Sequence, residues 1–211
     1  MAEPTKLYDA VVNGENKAAV AITKEALAAG ADPLELVNQQ MIPAMAEVGR
    51  RFECEEYFVP ELLLAARAMK GSLELIRPLL VERGAEPLGR VVIGTVKGDL
   101  HDIGKNLVAS MLEGGGFEVI DLGADVGPDK FVSAAQERRA DIVALSALLT
   151  VTMPSMKTTI EALRAAGIRE RVKVLIGGAP VTEEYAAQIG ADGYGANAAT
   201  AVPLARKVLG K

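Results

Sequence analysis

The second half of the chain alternates between two kinds of segment, and this alternation constrains the fold more than any other feature. Beyond about residue 87, short apolar runs rich in β-branched residues are separated by longer amphipathic segments. The runs read RVVIGTV, FEVIDLG, DIVALSA and KVLIGG, and a weaker ADGYGAN follows. Strands that alternate with helices form a parallel sheet through right-handed crossovers. The sequence therefore predicts a parallel sheet with helices on both faces.

The first half follows a different pattern, because its apolar residues recur at the three- and four-residue spacing of amphipathic helices. Gly30 is placed to end one helix, and Asp32 is placed to cap the next just before Pro33. Short connections between helices favour an antiparallel bundle. The pattern predicts helices near residues 5–12, 15–29, 33–51 and 58–82.

The two patterns together predict an α/β chain with two domains. Residues 1–86 are expected to form a four-helix bundle. Residues 87–211 are expected to form a flavodoxin- or Rossmann-like, doubly wound parallel sheet of about five strands.

Composition excludes several classes of function. The single cysteine, Cys54, rules out an intramolecular disulfide and any zinc or iron–sulfur site built on several thiolates. A formal net charge of −5 without a basic cluster argues against nucleic acid as a partner. No apolar stretch reaches the roughly 18 residues of a membrane helix, and the first residues lack the pattern of a secretory signal. We therefore expect a cytoplasmic protein that binds neither nucleic acid nor membrane.

Three loops of the second half are the places to look for chemistry. Ligands of open parallel α/β sheets bind outside the carboxyl ends of the strands. The loops after the first, third and fourth predicted strands cover residues 97–104, 146–152 and 177–180. We expect all three loops to meet at one edge of the sheet.

His101 is the only histidine of the chain, and it lies in the first of these loops, two residues after Asp99. A neutral imidazole can bind a metal through one nitrogen while the other donates its proton to a carboxylate. One imidazole without a cysteine cluster cannot build a closed zinc site, so the metal should arrive already chelated by a macrocycle. Haem and corrin both satisfy this condition. The alternative is an ordinary, partly exposed polar residue before a helix.

Glycines and hydroxyls in the other two loops extend the candidate site. Gly177 and Gly178 follow a strand, where the lack of side chains lets a ligand approach the backbone, although a tight turn would need the same residues. Ser146, Thr150 and Thr152 supply hydroxyls, which could instead cap the helix that begins near Pro154.

With these residues in place, the segment GTVKGDLHDIGKNLVASMLEGGGFEVIDLG resembles the cobalamin-binding domains of methionine synthase and of corrinoid proteins in methyltransferase systems. The shared pattern is Asp-x-His-x-x-Gly after a strand, joined in the same order by Ser146-x-x-x-Thr150 and Gly177-Gly178. Upstream, MAEVGRRFECEEYFVPELLLAARAM resembles the helical cap of those proteins. The resemblance covers nearly the whole chain.

The resemblance implies a cobalamin whose own nucleotide base is displaced and replaced by His101 on the lower face of cobalt. Asp99 and Thr152 would continue a hydrogen-bonded relay from that histidine, with threonine where methionine synthase has serine. It further implies cofactor contacts by Asp102, Ile103, Gly104, Ser146, Leu148, Thr150, Gly177, Gly178 and Ala179.

The cap residues Phe52, Phe58 and Val59 match positions that shield the upper, methyl-bearing face in methionine synthase. Their alternative role is ordinary packing in the bundle core. The acidic neighbours of Cys54 argue against a nucleophilic thiol, so Cys54 is assigned no chemistry.

The resemblance implies a methyl carrier that is not a catalyst by itself. Cobalamin, as methylcobalamin, would carry the methyl group between a substrate-specific methyltransferase and a second methyltransferase with a thiol or pterin acceptor. A corrinoid-reactivating protein is a further expected partner. The alternatives are a cobalamin-dependent sensor, which would need a DNA-binding segment before the cap, and the small subunit of an adenosylcobalamin mutase. Without the resemblance, a flavodoxin-like module lacking cobalt would remain.

Overall fold

A computed structural model describes residues 5–84 and 86–211, and the contacts among them divide the chain into two units. One unit holds the described residues up to Pro87 together with Glu113–Gly116. The other holds Leu88–Leu112 and Phe117–Lys211. Within the described ranges, no helix combines the length and apolarity needed to cross a membrane.

The first unit consists of helices, as the spacing of its apolar residues predicted. Its core contains the fully buried side chains of Leu7, Val11, Met41, Leu62 and Met69. The helices are α1 (Thr5–Val12), α2 (Asn16–Ala28), α3 (Pro33–Leu36), α4 (Ile42–Glu53) and α5 (Val59–Glu82), and a π-helical turn (Val37–Met41) joins α3 to α4.

The ends of these helices follow local rules. Asp32 caps α3 as predicted, because its Oδ1 accepts the N–H of Leu34 at 2.7 Å. Gly30 follows α2 with a left-handed φ of 85°.

The π-helical turn was not predicted. Its bond runs from the N–H of Ile42 to the carbonyl of Val37. Pro43 at the start of α4 has no N–H and crowds the carbonyl four residues earlier, which accounts for the local widening of the helix.

The second unit is a five-stranded parallel sheet in the order β2-β1-β3-β4-β5. This confirms the predicted flavodoxin-like order. The strands are β1 (Arg90–Thr95), β2 (Glu118–Asp121), β3 (Ile142–Ser146), β4 (Lys173–Gly177) and β5 (Gly193–Gly195). The helices between and after them are α6 (Ile103–Gly114), α7 (Pro128–Glu137), α8 (Pro154–Ala165), α9 (Glu183–Ile189) and α10 (Ala198–Val208).

The central strands are buried on both faces, which is why they read as unbroken apolar runs. Side chains such as Val91 and Ile93 pack with residues of α6 and α10 on one face. Their neighbours Val92 and Val143 pack with residues of α7, α8 and α9 on the other.

The register of the strands brings their carboxyl ends together. Thr95 of β1 pairs with Ser146 of β3, and Ser146 pairs with Gly177 of β4. The loops that follow these strands therefore start side by side at one edge of the sheet, as expected.

Candidate functional site

The loop from β1 to α6 carries Asp99 and His101 on a tight turn. Gly98 has a left-handed φ of 86°, which favours glycine at this position. The fully buried hydroxyl of Thr95, the last residue of β1, donates to the carbonyl of His101 at 2.9 Å. The strand end therefore fixes the backbone of the histidine directly.

Asp99 and His101 form a close pair. The Nδ1 atom of His101 lies 2.7 Å from Asp99 Oδ1, and the backbone N–H of His101 donates to the same oxygen at 3.0 Å. The Asp99 side chain is fully buried, whereas the imidazole is half exposed. The pair therefore has one end in the protein and one end open to a ligand.

The second oxygen of Asp99 binds the loop after β3. Its Oδ2 accepts the Thr152 hydroxyl at 2.7 Å and the N–H groups of Leu148 and Leu149 at 2.8 and 3.3 Å. Burial of Asp99 acts to raise its pKa, but the bonds from Thr152, Leu148 and His101 outweigh it and hold the pKa well below its usual range. Asp99 is therefore an ionised acceptor.

An ionised Asp99 determines which nitrogen of His101 carries the proton. A carboxylate can only accept, so Nδ1 must be the protonated nitrogen in the neutral ring. Its Nε2 then has a free lone pair, and no hydrogen bond engages it within the part of the chain that the structure describes. This is the arrangement that a metal-binding imidazole requires.

Exposed apolar side chains lie in the same loops as His101 and its partners Asp99 and Thr152. Leu100 and Ile103 are 75% and 78% exposed, and Val151 is 80% exposed. A methyl group added at Gly104, in the first turn of α6, would meet no atom within 4 Å outside its own helical turn. Exposed apolar side chains in the loops that hold a free imidazole nitrogen suit a broad apolar ligand that brings its own metal.

The three predicted hydroxyls differ in their surroundings. Thr152 is buried and bonded to Asp99. Ser146 is half-buried at the end of β3, and Thr150 is exposed in the loop that follows. None of the three caps α8, because its N-cap residue is Met153, without a side-chain bond. The capping alternative is therefore wrong.

The loops after β3 and β4 touch at Gly178. Its φ is 133°, and a Cβ atom built there would lie 1.9 Å from the carbonyl oxygen of Ala147. Glycine is therefore required for close contact between the loops, although this contact does not by itself mark a ligand site. The neighbouring Ala179 is exposed.

A cavity of about 50 Å³ lies beside Gly177, between one face of the sheet and helices α6 and α10. Its walls are almost entirely apolar. It is lined by Val108, Leu112, Ala144, Leu175, Ile176, Gly177, Gly195, Asn197, Ala201 and Leu204.

The remaining predicted residues lie at the start of α6 and in the helical unit. Asp102 directly precedes α6, and its carbonyl accepts the N–H of Asn106 at 2.8 Å. Phe52 is half-buried, whereas Phe58 and Val59 are 63% and 40% exposed, which excludes Phe58 and Val59 from the bundle core. Cys54 is exposed and free.

The sequence did not mark Thr95 or Asp125, although Thr95 donates to the carbonyl of His101 and Asp125 accepts the N–H of Gly98 in the same loop. Thr95 reads as an ordinary strand residue, and Asp125 lies in a loop that no motif marked. Sequence reasoning also missed Lys105, a buried lysine that pairs with Asp121 at the end of β2. A lysine with a buried side chain is rare unless it is paired, but burial cannot be read from the sequence.

Both halves of the chain match known families. Residues 89–202 match the model of the B12 binding domain, and residues 5–77 match a second model with the same description. Trimethylamine corrinoid protein 1 of Methanosarcina acetivorans is 47% identical over 206 residues, which cover 97% of this chain and 95% of the relative.

Two solved structures are similar over almost the whole chain. A cobalamin-binding protein from Desulfitobacterium hafniense aligns with a TM-score of 0.81 and 34% identity, covering 98% of both chains. A chain of the methanol:cobalamin methyltransferase complex from Methanosarcina barkeri aligns with a TM-score of 0.86 and 30% identity, covering 98% of this chain and 79% of that one. The chain therefore belongs to the B12-binding corrinoid proteins, and its cofactor is cobalamin or a related corrinoid.

Proposed function

We propose that this protein carries a methyl group on a cobalamin whose own base is displaced, with His101 as the lower axial ligand of cobalt. One observation carries the assignment. Asp99 holds Nδ1 of His101 at 2.7 Å, which leaves Nε2 unbonded on a half-exposed ring. A buried carboxylate behind a metal-binding histidine is the usual way to fix both its tautomer and its orientation.

The residues present fit the group. Gly104, three residues after the histidine, has open space where a side chain would lie, and Ile103 and Leu148 offer exposed apolar surface in the same two loops. The apolar cavity beside Gly177 would accept part of the displaced nucleotide tail after widening, since about 50 Å³ is little more than the space of one or two water molecules. Bound cobalamin supplies a cobalt that accepts a methyl group from a donor and passes it to an acceptor.

The chain's own contribution is to control the proton on Nδ1. Asp99 accepts that proton at one oxygen and the Thr152 hydroxyl at the other. The Thr152 oxygen also lies 2.8 Å from the carbonyl of Leu149, and a hydroxyl has only one hydrogen. If Asp99 takes up a proton, the Thr152 hydroxyl can turn to Leu149 without being left unpaired. The His101–Asp99–Thr152 chain thus adjusts how strongly the imidazole donates to a metal.

The donor that we propose is a methylated amine. A trimethylamine corrinoid protein shares 47% identity with this chain across nearly its full length, whereas the similar chain of a methanol-specific complex shares 30%. The partners would then be an amine-specific methyltransferase, which loads the methyl group, and a second methyltransferase, which passes it to a thiol or pterin.

Replacing His101 by alanine tests the ligand assignment. We expect the variant to bind cobalamin at least about tenfold more weakly. Its visible spectrum should resemble that of cobalamin without a nitrogen ligand on the lower face of cobalt. Added imidazole should restore the wild-type spectrum. Because His101 is the only histidine, ¹⁵N-histidine labelling should also change the nitrogen splitting of the paramagnetic, reduced cobalt from a triplet to a doublet.

Two results would contradict this assignment. The first is a His101→Ala protein that keeps the wild-type spectrum and affinity. The second is a nitrogen splitting that does not respond to the label, since the axial nitrogen would then come from the cofactor's own base. The fold of the variant should be compared with wild type by circular dichroism before either comparison is made.

The donor class predicts which methyltransferase loads the cofactor. In an assay that follows the absorbance change of the bound corrinoid, an amine-specific methyltransferase with trimethylamine should methylate this protein faster than a methanol-specific enzyme with methanol. Protein with the His101→Ala change serves as the control for transfer to loosely bound cobalamin. Faster loading by the methanol system would overturn the amine assignment but leave the carrier role intact.

A further inference from the structure

The loop after β2 holds the histidine loop at three consecutive residues. Asp125 accepts the N–H of Gly98 through Oδ1 at 2.8 Å and the Lys97 ammonium through Oδ2 at 2.9 Å. Its own N–H donates to the carbonyl of Asp99 at 2.9 Å. Asp125 thereby fixes the backbone of Gly98 and of Asp99, the residue whose carboxylate binds His101.

Asp125 is itself held in place. Its φ is 54°, a left-handed conformation that aspartate and asparagine tolerate better than most residues. The next residue, Val126, donates its N–H to Thr95 at 2.9 Å and forms a β-bridge with Val96. The loop is therefore anchored to the end of β1. Asp125, held in this loop, in turn holds the turn at Gly98 through its side chain.

The bonds to the backbone matter more than the ion pair. The side chains of Lys97 and Asp125 are 61% and 40% exposed, and exposed pairs contribute little to stability. The N–H of Gly98, followed by the Lys97 ammonium, holds the pKa of Asp125 below its usual value, so the carboxylate stays charged as an acceptor.

We propose that Asp125 is a positioning residue for His101. By fixing Gly98 and the Asp99 carbonyl, it sets the place of the Asp99 carboxylate and hence the tautomer and direction of the imidazole. The consequence for cobalt rests on the proposed function, but the effect on the tautomer does not, because it can be measured without cofactor.

The sole histidine makes the test direct. In cofactor-free protein labelled with ¹⁵N-histidine, two-dimensional NMR above the ordinary titration range of histidine reports the tautomer of one ring. Wild type should show mainly the Nδ1–H form. Asp125→Gly keeps the left-handed backbone but removes both side-chain bonds, and it should lose most of this preference. Asp125→Asn keeps an acceptor for Gly98 and should behave like wild type.

Arg139→Gly is the matched control, because Arg139 is another exposed residue with a left-handed φ, of 51°, after α7. It should leave the tautomer unchanged. With cobalamin, Asp125→Gly should lower the affinity by about tenfold, near the lower end for groups that orient a metal ligand. Asp125→Asn and Arg139→Gly should not.

The outcomes separate the two proposals. If Asp125→Gly matches Arg139→Gly in tautomer and affinity, or if Asp125→Asn loses as much as Asp125→Gly, the positioning role is wrong. If the wild-type cobalt signal ignores the histidine label while the tautomer responds to Asp125, the ligand assignment fails and the positioning role stands.

A measurement on the wild-type protein covers the case in which the glycine variant does not fold. Hydrogen exchange of the Gly98 and Asp125 amides should be slower than that of exposed loop amides, since both are donors in the bonds described. Exchange as fast as that of an unprotected loop would contradict the anchoring of this turn and overturn the proposal.

Discussion

Replacing Asp99 by alanine is expected to lower the free energy of unfolding by about 3 kcal/mol or more, because each buried donor left without a partner costs about 1–3 kcal/mol. The donors concerned are the N–H groups of Leu148, Leu149 and His101. The Thr152 hydroxyl is not among them, because it can turn to the carbonyl of Leu149. Urea unfolding followed by circular dichroism measures the change. A loss below about 1 kcal/mol would mean that water or a shifted loop replaces the carboxylate.

Asp99→Asn is the matched isosteric variant, and it tests the chemistry as well as the stability. An amide has one acceptor oxygen, so its NH₂ group must face either the imidazole or the donors of the β3 loop. Where NH₂ faces the imidazole, Nδ1 has to accept and the proton moves to Nε2, which blocks metal binding. We expect weaker cobalamin binding by about 10- to 100-fold. Cobalt reduction and methyl transfer that match wild type would contradict the relay.

The difference in stability between wild type and Asp99→Asn should also depend on pH. The pKa of Asp99 is lower in the folded chain than in the unfolded chain. Its charge therefore stabilises the fold fully above the unfolded value of about 4, and this stabilisation is lost as the pH falls through the lower folded value. The stability difference between wild type and Asp99→Asn should stay constant above about pH 5 and shrink in more acidic solution.

Gly178→Ala is expected to destabilise the protein by about 2–6 kcal/mol, the sum of a strained backbone and an overpacked contact. The added Cβ would lie 1.9 Å from the carbonyl oxygen of Ala147, and backbone cannot move aside as a side chain can. The loop after β3 would shift, and with it the N–H of Leu148 that binds Asp99. Thermal unfolding measures the effect.

Gly104→Ala is the control that separates folding from binding. A Cβ at Gly104 meets nothing within 4 Å outside its own helical turn, and alanine favours a helix over glycine by up to about 1 kcal/mol. The variant should therefore be as stable as wild type. If a corrin lies beside His101 as proposed, cobalamin affinity should still fall by about tenfold, or about 1.4 kcal/mol. Unchanged affinity would argue against a corrin at Gly104.

Much of the fold followed from the sequence because its signals are local. Short, unbroken apolar runs such as that of β3 are typical of strands buried on both faces, and their alternation with helices allows few topologies. Asp32 before Pro33 is likewise a signal complete within a few residues. The π-helical turn was missed because one extra residue hardly changes the three- and four-residue spacing of apolar residues along a long helix.

The candidate site was predictable in part for the same reason. Asp99 and His101 are two residues apart, so their contact needs only a turn. Thr152 is 53 residues from Asp99, and its place came from family resemblance, not from spacing. Asp125 was missed because its bonds to Gly98 and Asp99 join the loop after β2 to the loop after β1. Contacts between two loops depend on the conformation of both, which the sequence does not show. The contacts of all these residues with cobalamin stay predictions.

The π-helical turn at Val37–Met41 has a consequence for length variation among related chains. A π turn contains one residue more than the α-helix it interrupts, so a relative that lacks both that residue and Pro43 can form a regular helix whose two flanking segments face as before. The buried residues Leu36 and Met45 stand on opposite sides of it, whereas Asn38 and Gln39 within it are exposed. A relative shorter by one residue at this point can therefore keep the same bundle core, and a single-residue gap in an alignment there implies no rearrangement of the helices.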